Sequence, residues 1–595
     1  MAKARKAADP PAHNPHTLTK IEIARILDDV SMMLEITGAN PFRIRAYSNA
    51  ARAMEEQTDD IRALIESKEL LEVQGIGKGI FADVASLLDT GTFEMYDDLR
   101  REIPQGVLDM LRISGMGPKK VKLVYDELGI KSVEALEHAG RAGQLADLPG
   151  WGEKTQTNIL RGIARMRKYQ DRFLQNKALK EATTMHDAVR ELPGVTRSMI
   201  GGSLRRKRET IGDIDILASA ADSAPIMDAF TSHENVATVI AKGDTKSSVI
   251  LKSGINCDLR VVTDEQYPFA THYFTGSKQH NIEVRAIAGK KGLKLNEYGL
   301  FDKKDKPTPC KDEAAMFAVL GLDWIPPELR EHTGEIEAAT SHTLPTLVEE
   351  KDIRGVFHNH TTYSDGKNTL REMAEAARSL GHKYFGTGDH SERAVYADGM
   401  TKADAREQSE AIAALNQELA PFRIFHGVEV DIFGDGELDY DEETLSMFDY
   451  VVASIHGQFN MSEAEMTKRM VTAISNPFCT MIGHPTGRLL LSRDGYAVNL
   501  QALIDAAAEH DVMLEINAHP NRLDLDWRHL RAARDAGMLH VINPDAHWTG
   551  DLAYFRYGVG VARKGWMEKK DLFNTRTTAQ VDKFFKDRKK KRGIA

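Results

Sequence analysis

Gly201-Gly-Ser-Leu-Arg-Arg-Lys-Arg-Glu-Thr-Ile-Gly-Asp-Ile-Asp-Ile-Leu217 is the stretch on which the reading of this chain turns. Asp213 and Asp215 stand two apart on a predicted strand, Ile211–Ala218, so their side chains share one face. Two carboxylates on one face repel unless a divalent cation lies between them, and hard oxygen ligands suit Mg²⁺ or Mn²⁺. A third carboxylate, Asp258, falls in another predicted strand, Asn256–Val262, and Ser247–Leu251 reads as a third strand of the same sheet. Three carboxylates can hold two ions, one activating an attacking hydroxyl and the other holding a triphosphate and its leaving pyrophosphate. Upstream, Gly202-Ser203 offers close backbone approach and a hydroxyl to phosphate oxygens, and Arg205, Arg206 and Lys207 add positive charge. The alternative, a solvated acidic strand with basic flanks, is disfavoured by this combination.

Toward the N-terminus the chain reads as short helices: Ile21–Thr37, Pro41–Gln57 and Ile61–Glu69. Three related segments follow, Val73-Gln-Gly-Ile-Gly-Lys-Gly79, Ile113-Ser-Gly-Met-Gly-Pro-Lys-Lys120 and Leu148-Pro-Gly-Trp-Gly-Glu-Lys154. Each sets an apolar residue before Gly-x-Gly, then a lysine and a helical pattern. Gly75, Gly77, Gly115, Gly117, Gly150 and Gly152 allow sharp turns, and each following helix offers free N–H groups and a positive dipole end to a phosphate. With Lys119 and Lys154 they predict a sequence-independent grip on a nucleic-acid backbone. One such turn is an ordinary helix connection; three copies favour binding. From Leu148 to Lys180 a basic helical stretch is expected to bridge to the next domain, and residues 331–347 read as a linker.

Beyond Ile353, strand-like runs alternate with helical segments: Gly355–His360, Tyr384–Asp389, Arg423–Val430, Tyr450–His456, Cys479–His484, Val512–Ile516 and His540–Asn543, with helices such as Leu370–Ser379, Asp404–Glu418 and Leu500–Glu509 between them. Repeated β-α units imply a parallel sheet or barrel. Histidine is concentrated here: 12 of the 21 lie between His358 and His547. His358, His360, Asp365, His390, Glu429, His456, His484, Asp545 and His547 fall at or near predicted strand ends, which converge on one mouth in a barrel. Nine nitrogen and oxygen ligands can hold three divalent metals, and imidazole with carboxylate but no thiolate suits Mn, Fe or Zn. Bound metals acidify water and neutralise a phosphate under attack, so phosphoester hydrolysis follows. His426 reads as structural, His519 as a border of the mouth, and Arg522 as either a phosphate contact or a surface ion pair.

The chain is 595 residues long and 42% hydrophobic, too long for one core and too apolar for wholesale disorder. No apolar run approaches the roughly eighteen residues of a membrane span, and Met1–Thr19 lacks the apolar core of a secretory signal. Three scattered cysteines, Cys257, Cys310 and Cys479, exclude a disulfide framework or a Cys-type zinc finger, and a reducing cytoplasm is the expected compartment. Net charge is −10, and residues 1–180 balance 27 Lys/Arg against 26 Asp/Glu, so DNA binding must use local patches and backbone dipoles. The basic end Lys586–Arg592 reads as a solvated tail.

Gly202-Ser203 followed after nine residues by Asp213-Ile-Asp215 resembles the nucleotidyltransferases as a class. Tyr273-Phe-Thr-Gly-Ser-Lys-Gln-His-Asn281 resembles the nucleotide-selecting signature of family X DNA polymerases, and the Gly-x-Gly segments resemble helix-hairpin-helix motifs. The likeness covers roughly residues 18–320. It implies that Asp213, Asp215 and Asp258 are catalytic and that Gly202, Ser203, Arg206 and Gly212 meet the incoming nucleotide's phosphates. It further implies that Tyr273 and Phe274 pack at the sugar beside Gly276, Asn281 touches the base edge, and Arg285 reaches the template. Without it, Tyr273-Phe274 reads as a core aromatic pair. One departure stands out: Asp83 occupies the place of the lysine that serves 5′-deoxyribose phosphate removal in polymerase beta, and a carboxylate forms no Schiff base. Lys78 is nearby but belongs to the hairpin. The histidine set resembles the PHP (polymerase and histidinol phosphatase) domain over residues 354–575, with all nine ligand positions filled.

The expected fold is therefore multidomain, with an α-helical helix-hairpin-helix region, an α+β nucleotidyltransferase palm and thumb, and a distorted β/α barrel. Expected boundaries are a helical DNA-binding domain at 1–98, a helical fingers-like domain at 99–180, a palm at 181–265, a nucleotide-selecting thumb at 266–335, a linker at 336–353 and a PHP phosphoesterase at 354–595. The resemblance implies a polymerase filling gapped or nicked duplex DNA from deoxynucleoside triphosphates in base excision repair, with a 3′→5′ exonuclease; a monomer is expected, no oligomer interface being legible in the sequence. The rival readings are a transferase on RNA or a small molecule with a separate phosphatase, and a non-catalytic DNA-end scaffold.

Overall fold

A computed structural model of the chain describes residues 18, 20–56, 61–73, 75–111, 113, 115–169 and 171–594. Of the expected features, Met1–His16, Thr17, Thr19, Gln57, Gln74 and Ser114 lie outside the described residues. The chain folds as two compact units, residues 1–170 and 171–595.

The first unit is helical. Its first helices, Lys20–Thr37 and Pro41–Glu56, match the expected amphipathic pair. The third ends early, at Glu66, because Lys68 takes a left-handed conformation (φ 65°) before a short 3-10 turn, Glu69–Glu72. Apolar residues every three or four positions bury one stripe per helix. One contiguous core results, running from Ile23, Leu27 and Val30 through Val84 and Leu87, Val107 and Met110, and Val121 and Val124 to Ile159 and Ile163. The two expected helical domains therefore share a core. The expected basic bridge is broken: one helix covers Glu153–Tyr169, and Phe173–Leu174 then pairs as a short strand with Thr210–Ile211 in the second unit.

The second unit opens with helix Gln175–Arg190 and a five-stranded sheet. Its strand order is Val195–Ile200, Asp213–Ala220, Asn256–Val262, Lys246–Leu251, Val236–Lys242. Only the Asp213–Ala220 and Asn256–Val262 pair is parallel. The predicted strand from Ile211 is split at Gly212, so Thr210–Ile211 pairs elsewhere and the sheet strand starts at Asp213. Ala178, Ala182 and Met185 of the long helix and Ile226, Met227 and Phe230 of helix Ala224–Thr231 bury one sheet face. Strict alternation leaves Asp213, Asp215 and Asp258 on the other.

Residues 331–347 are not a linker. Glu331 lies between Arg206, Arg208 and Lys564, with N–O separations of 3.1, 3.4 and 2.8 Å. Glu335 opens a short helix, Glu335–Thr340, is fully buried, and accepts from His280 Nδ1 (2.9 Å) and the His332 and Thr333 amides. Buried charges of this kind are stable only when paired, so the segment is fixed where free chain was expected.

The C-terminal part is a parallel barrel-like fold. One sheet orders Gly355–Val356, Tyr384–Gly386 and Arg423–Phe425; a second orders Asp389–His390, Gly427–Asp431, Tyr450–Ser454, Cys479–Ile482, Met513–Asn517 and His540–Asn543. A parallel bridge between Asn359 and Ala546 joins first strand to last. Two predicted strands, Tyr384–Asp389 and Arg423–Val430, are each broken in the middle, where the Tyr450 ring fills the space beside Gly386 and Gly427. A side chain at either glycine would collide with that ring, within 2.4 and 2.1 Å.

The basic end is not a solvated tail either. It forms the last turns of helix Thr578–Lys591, whose Arg588 is buried and donates to the Cys479 and His510 carbonyls. Phe585 of this helix enters an aromatic cluster with Phe357, Phe425, Tyr450 and Phe573, ring centroids 5.4–5.9 Å apart. Phe585→Ala is expected to destabilise the fold by about 3–5 kcal/mol. Lys586→Ala, on the exposed face and paired only with Asp582, should stay within about 0.5 kcal/mol. Denaturant unfolding of the two variants checks the contrast.

Candidate functional site

The first centre sits on the open face of the five-stranded sheet. The parallel register sets Asp215 directly opposite Asp258, with Asp213 one pleat away. Gly202 approaches so closely that a Cβ there would lie 2.0 Å from the Asp215 carboxylate, and its φ of +56° suits glycine. The Gly201 amide donates to the Asp215 carbonyl (2.7 Å), fixing the turn against the strand. Burial, reinforced by the charges of Asp213 and Asp258, pushes the Asp215 carboxyl up to about 7. Such a crowded set takes up a cation readily. The donors fit a divalent ion: three carboxylates on one face, beside a buried Ser203 hydroxyl without a hydrogen-bond partner. Lys246 Nζ stands 2.6 Å from Asp258 on the neighbouring antiparallel strand.

The nucleotide-selecting segment lies alongside. Tyr273 and Phe274 rings meet edge to face, centroids 5.0 Å apart, and a cavity below is lined by Gly201, Asp215, Lys246, Asp258, Arg260 and Phe274. Asn281 is buried; its amide donates to the Tyr273 carbonyl (2.8 Å) while its own oxygen has no partner. Gly276 has φ +68° and lies against the Arg206 guanidinium. Arg206 donates to the Thr275 carbonyl (2.5 Å) and pairs with Glu331, so it is held in place rather than free. Gly212 marks the strand break, and Arg285 is exposed on helix Lys278–Lys290.

In the helical unit, Gly75, Gly115 and Gly150 all adopt positive φ (97°, 88° and 76°). The next helices start at Lys78, Pro118 and Glu153, immediately after Gly77, Gly117 and Gly152. All three predicted hairpins thus share one backbone turn. Lys119 and Lys154 lie in the first turns of their helices.

The second centre brings the nine predicted ligands together, with Glu429 inside a strand, Asp365 in a loop and the others at or just beyond strand ends. His358, His456, His484 and Asp545 each stand two residues past the last residue of a strand. His358, His484 and Asp545 have positive φ (53°, 27° and 53°), unfavourable for non-glycine residues and tolerated where the surroundings over-determine the backbone. Glu429 is the hub. Its Oε1 lies 3.0, 3.2 and 3.4 Å from Nε2 of His484, His358 and His456, and its Oε2 lies 3.0 Å from His390 Nδ1. Asp545 approaches His360 (3.2 Å), and Asp365 approaches His360 and His547 (both 3.5 Å).

Three overlapping groups bring ligand atoms within 4.8 Å of one another: His360, Asp365, His390 and His547; His358, His360 and Asp545; and His390, Glu429 and His456. His484 joins through Glu429. Nε2 of His358 and of His360 and Nδ1 of His390 are buried and, although near carboxylate oxygens, make no well-aligned hydrogen bond. Nitrogens so placed fit several metal ions. Burial opposes ionisation of Glu429, yet His358, His456 and His390 hold its carboxyl well below the usual range. Burial likewise opposes protonation of His456 and His547, but their carboxylate neighbours raise both to about 9.

The sequence reading missed the groups that aim these imidazoles. Glu515 accepts from His358 Nδ1 (2.6 Å) and Asp431 from His456 Nδ1 (2.5 Å), which turns each Nε2 toward the centre. Glu515 lies in strand Met513–Asn517 and Asp431 two residues beyond Glu429; inward alternation along these strands was the available signal. Arg522 Nε lies 3.4 Å from Asp545. His426 packs on Phe448 and His519 on Tyr554, and neither joins the three groups. Glu515→Gln, which keeps the shape and removes the charge, is expected to lower metal affinity roughly 10- to 100-fold. Chelator competition against the unaltered protein reads this, and equal affinity would refute the orienting role.

Comparisons with known proteins bear on both centres. Residues 19–93 match the helix-hairpin-helix domain, 107–165 the SAM-like helix-hairpin-helix tandem, 270–331 the DNA polymerase beta thumb and 357–519 the PHP domain. The chain is 38% identical over 572 residues to the DNA polymerase/3′-5′ exonuclease PolX of Bacillus subtilis (strain 168), covering 95% of this chain and 99% of that one. A probable phosphatase of Thermoanaerobacter sp. (strain X514) is 26% identical over 247 residues, 40% of this chain and 96% of the phosphatase. DNA polymerase lambda of Rattus norvegicus is 23% identical over 358 residues, 54% of this chain and 58% of that protein. With hairpin domains, a beta-type thumb and a C-terminal PHP domain in one colinear chain, this protein belongs to the PolX family of family X DNA polymerases.

Proposed function

We propose that this chain is a template-directed DNA polymerase that fills short gaps in base excision repair and carries a metal-dependent 3′→5′ exonuclease in its PHP domain. The observation that supports synthesis best is the register that sets Asp215 against Asp258 with Asp213 on the same face. These three carboxylates would hold Mg²⁺ or Mn²⁺. When bound, such ions acidify an attacking hydroxyl and offset charge on a triphosphate. Ser203, Gly202 and Gly212 receive the phosphates, and Arg206, steadied by Glu331, adds charge. Tyr273 and Phe274 pack at the sugar, Asn281 meets the base edge and Arg285 the template strand. The hairpins at Gly75, Gly77, Gly115, Gly117, Gly150 and Gly152, with Lys119 and Lys154, hold the duplex backbone.

The nine PHP residues would hold three divalent ions of Mn, Zn or Fe. When bound, these lower the pKa of water and neutralise the phosphate being cleaved. Glu515 and Asp431 fix the imidazole tautomers, and Arg522 stands beside Asp545 as a further positive group. The likeness of this part to a probable phosphatase favours removal of 3′-phosphates at the same centre. The protein would act as a cytoplasmic monomer. Among the described residues no helix is long and apolar enough to cross a membrane.

Separate centres predict separable activities. Asp258→Ala is expected to abolish extension of a gapped oligonucleotide in Mg²⁺ or Mn²⁺ while degradation continues, and His358→Ala to do the reverse. Joint loss in folded protein would defeat the two-centre reading. For lyase chemistry, Asp83 accepts a hydrogen bond from the Tyr47 hydroxyl at the place where an amine is needed. Borohydride treatment with a 5′-deoxyribose phosphate substrate should therefore leave no covalent adduct at this place.

A further inference from the structure

The PHP centre is bordered by aromatic side chains that neither the metals nor the core uses. Val395, Tyr396 and Trp548 are 80%, 68% and 49% exposed. Val395 and Tyr396 adjoin in one loop, so that two large side chains stand in water next to ligand histidines, a surface that a ligand can cover. The Tyr396 ring lies 5.9 Å from the His390 ring and 6.0 Å from that of His456. Trp548 directly follows His547, whose ring stacks on His360 at 4.1 Å.

Both aromatics are held rather than loose. Tyr396 stands at the tip of a tight loop whose flanks, Ala394 and Ala397, are buried. The Ala397 amide donates to the Ala394 carbonyl (2.8 Å), and the Met400 amide returns to the carbonyl of His390 (2.8 Å). The ligand His390 and the aromatic tip are thus parts of one stapled loop. Trp548 Nε1 donates to Asp551 (2.6 Å), and its ring lies flat enough over Gly550 that a Cβ there would come within 2.5 Å. Asp365 and His547 are the ligands with the most open side chains, 33% and 34% exposed, and Trp548 is the chain neighbour of the second of them.

An ordered, exposed aromatic at each of two positions beside a phosphoesterase centre fits the faces of nucleobases, which stack on such rings without regard to sequence. A paired base has its faces covered by its neighbours, so these rings require unstacked, single-stranded substrate. Building on the exonuclease reading above, we infer that Tyr396 and Trp548 are specificity-determining residues. They stack the last bases of a single-stranded or frayed 3′ end and present its terminal phosphodiester to the metals.

The test compares a single-stranded oligonucleotide, labelled at its 5′ end, with bis(p-nitrophenyl) phosphate, a phosphodiester without bases, using the full chain loaded with Mn²⁺. Tyr396→Ala and Trp548→Ala should each lower the ratio of oligonucleotide to small-ester kcat/KM roughly 5- to 100-fold, through KM for the oligonucleotide. Tyr396→Phe, which keeps the ring, should hold the ratio near that of the unaltered protein. An unchanged ratio in both alanine variants overturns the inference. So does an equal fall on both substrates, which marks a distorted metal centre, or a Phe variant as impaired as the Ala variant, which assigns the effect to the hydroxyl. If the unaltered protein cleaves the small ester but not the oligonucleotide, the exonuclease reading itself falls and this inference falls with it.

Discussion

A carboxylate shut away from water must be met by positive charge, and Glu429 imposes that requirement on the whole C-terminal half. It is almost fully buried, and imidazoles from four other strand ends point at its two oxygens. A parallel barrel delivers them because all its strands end at the same rim. Outer carboxylates then set each ring: Glu515 behind His358, Asp431 behind His456. Where a carboxylate backs the ring, at His358 and His456, the imidazole is held above its usual range despite burial, whereas burial holds His390 and His484 below it.

The palm meets the same difficulty with the opposite geometry. Asp215 and Asp258 face each other across a parallel pair, and Lys246 on the next strand supplies positive charge to Asp258. These carboxylates remain partly open, as a site that must admit a triphosphate requires. The PHP hub is closed to solvent, whereas the palm triad is partly open. Ion pairs also tie the Gly202 turn to the PHP part. Arg206 and Arg208 meet Glu331, Glu331 meets Lys564, and Arg528 of the PHP part reaches Glu209. The turn carrying Gly202 and Ser203 is therefore held against the PHP domain by charges with few alternatives in a buried setting.

Much of this was legible in residue order. Alternation put Asp213 and Asp215 on one face, three Gly-x-Gly turns announced three hairpins, and strand-end histidines announced a convergent centre. What stayed hidden has a common cause. Residues 331–347 look like free chain because Thr, Gly, Ser and Pro mark loops, yet Glu331 and Glu335 are fixed by Arg206, Lys564 and His280, which lie 55 to 233 residues away. Lys586–Arg592 looks like a solvated tail because its charge density is high. Arg588 is instead buried and donates to the carbonyls of Cys479, on a distant strand, and His510, at the end of a distant helix. Gly386 and Gly427, beside the strand breaks at 387–388 and 426, leave room for the side chain of Tyr450, a residue outside both strands.

Local sequence determined which chemistry this chain can perform, because ligand type, turn residues and side-chain periodicity are properties of short segments. It also determined the order of the parts. Tertiary structure alone decided which carboxylate orients which imidazole, which arginine is tied and which is free, and which aromatic rings stay in water. Those outcomes depend on distances between segments far apart in the chain, and no local pattern encodes a distance.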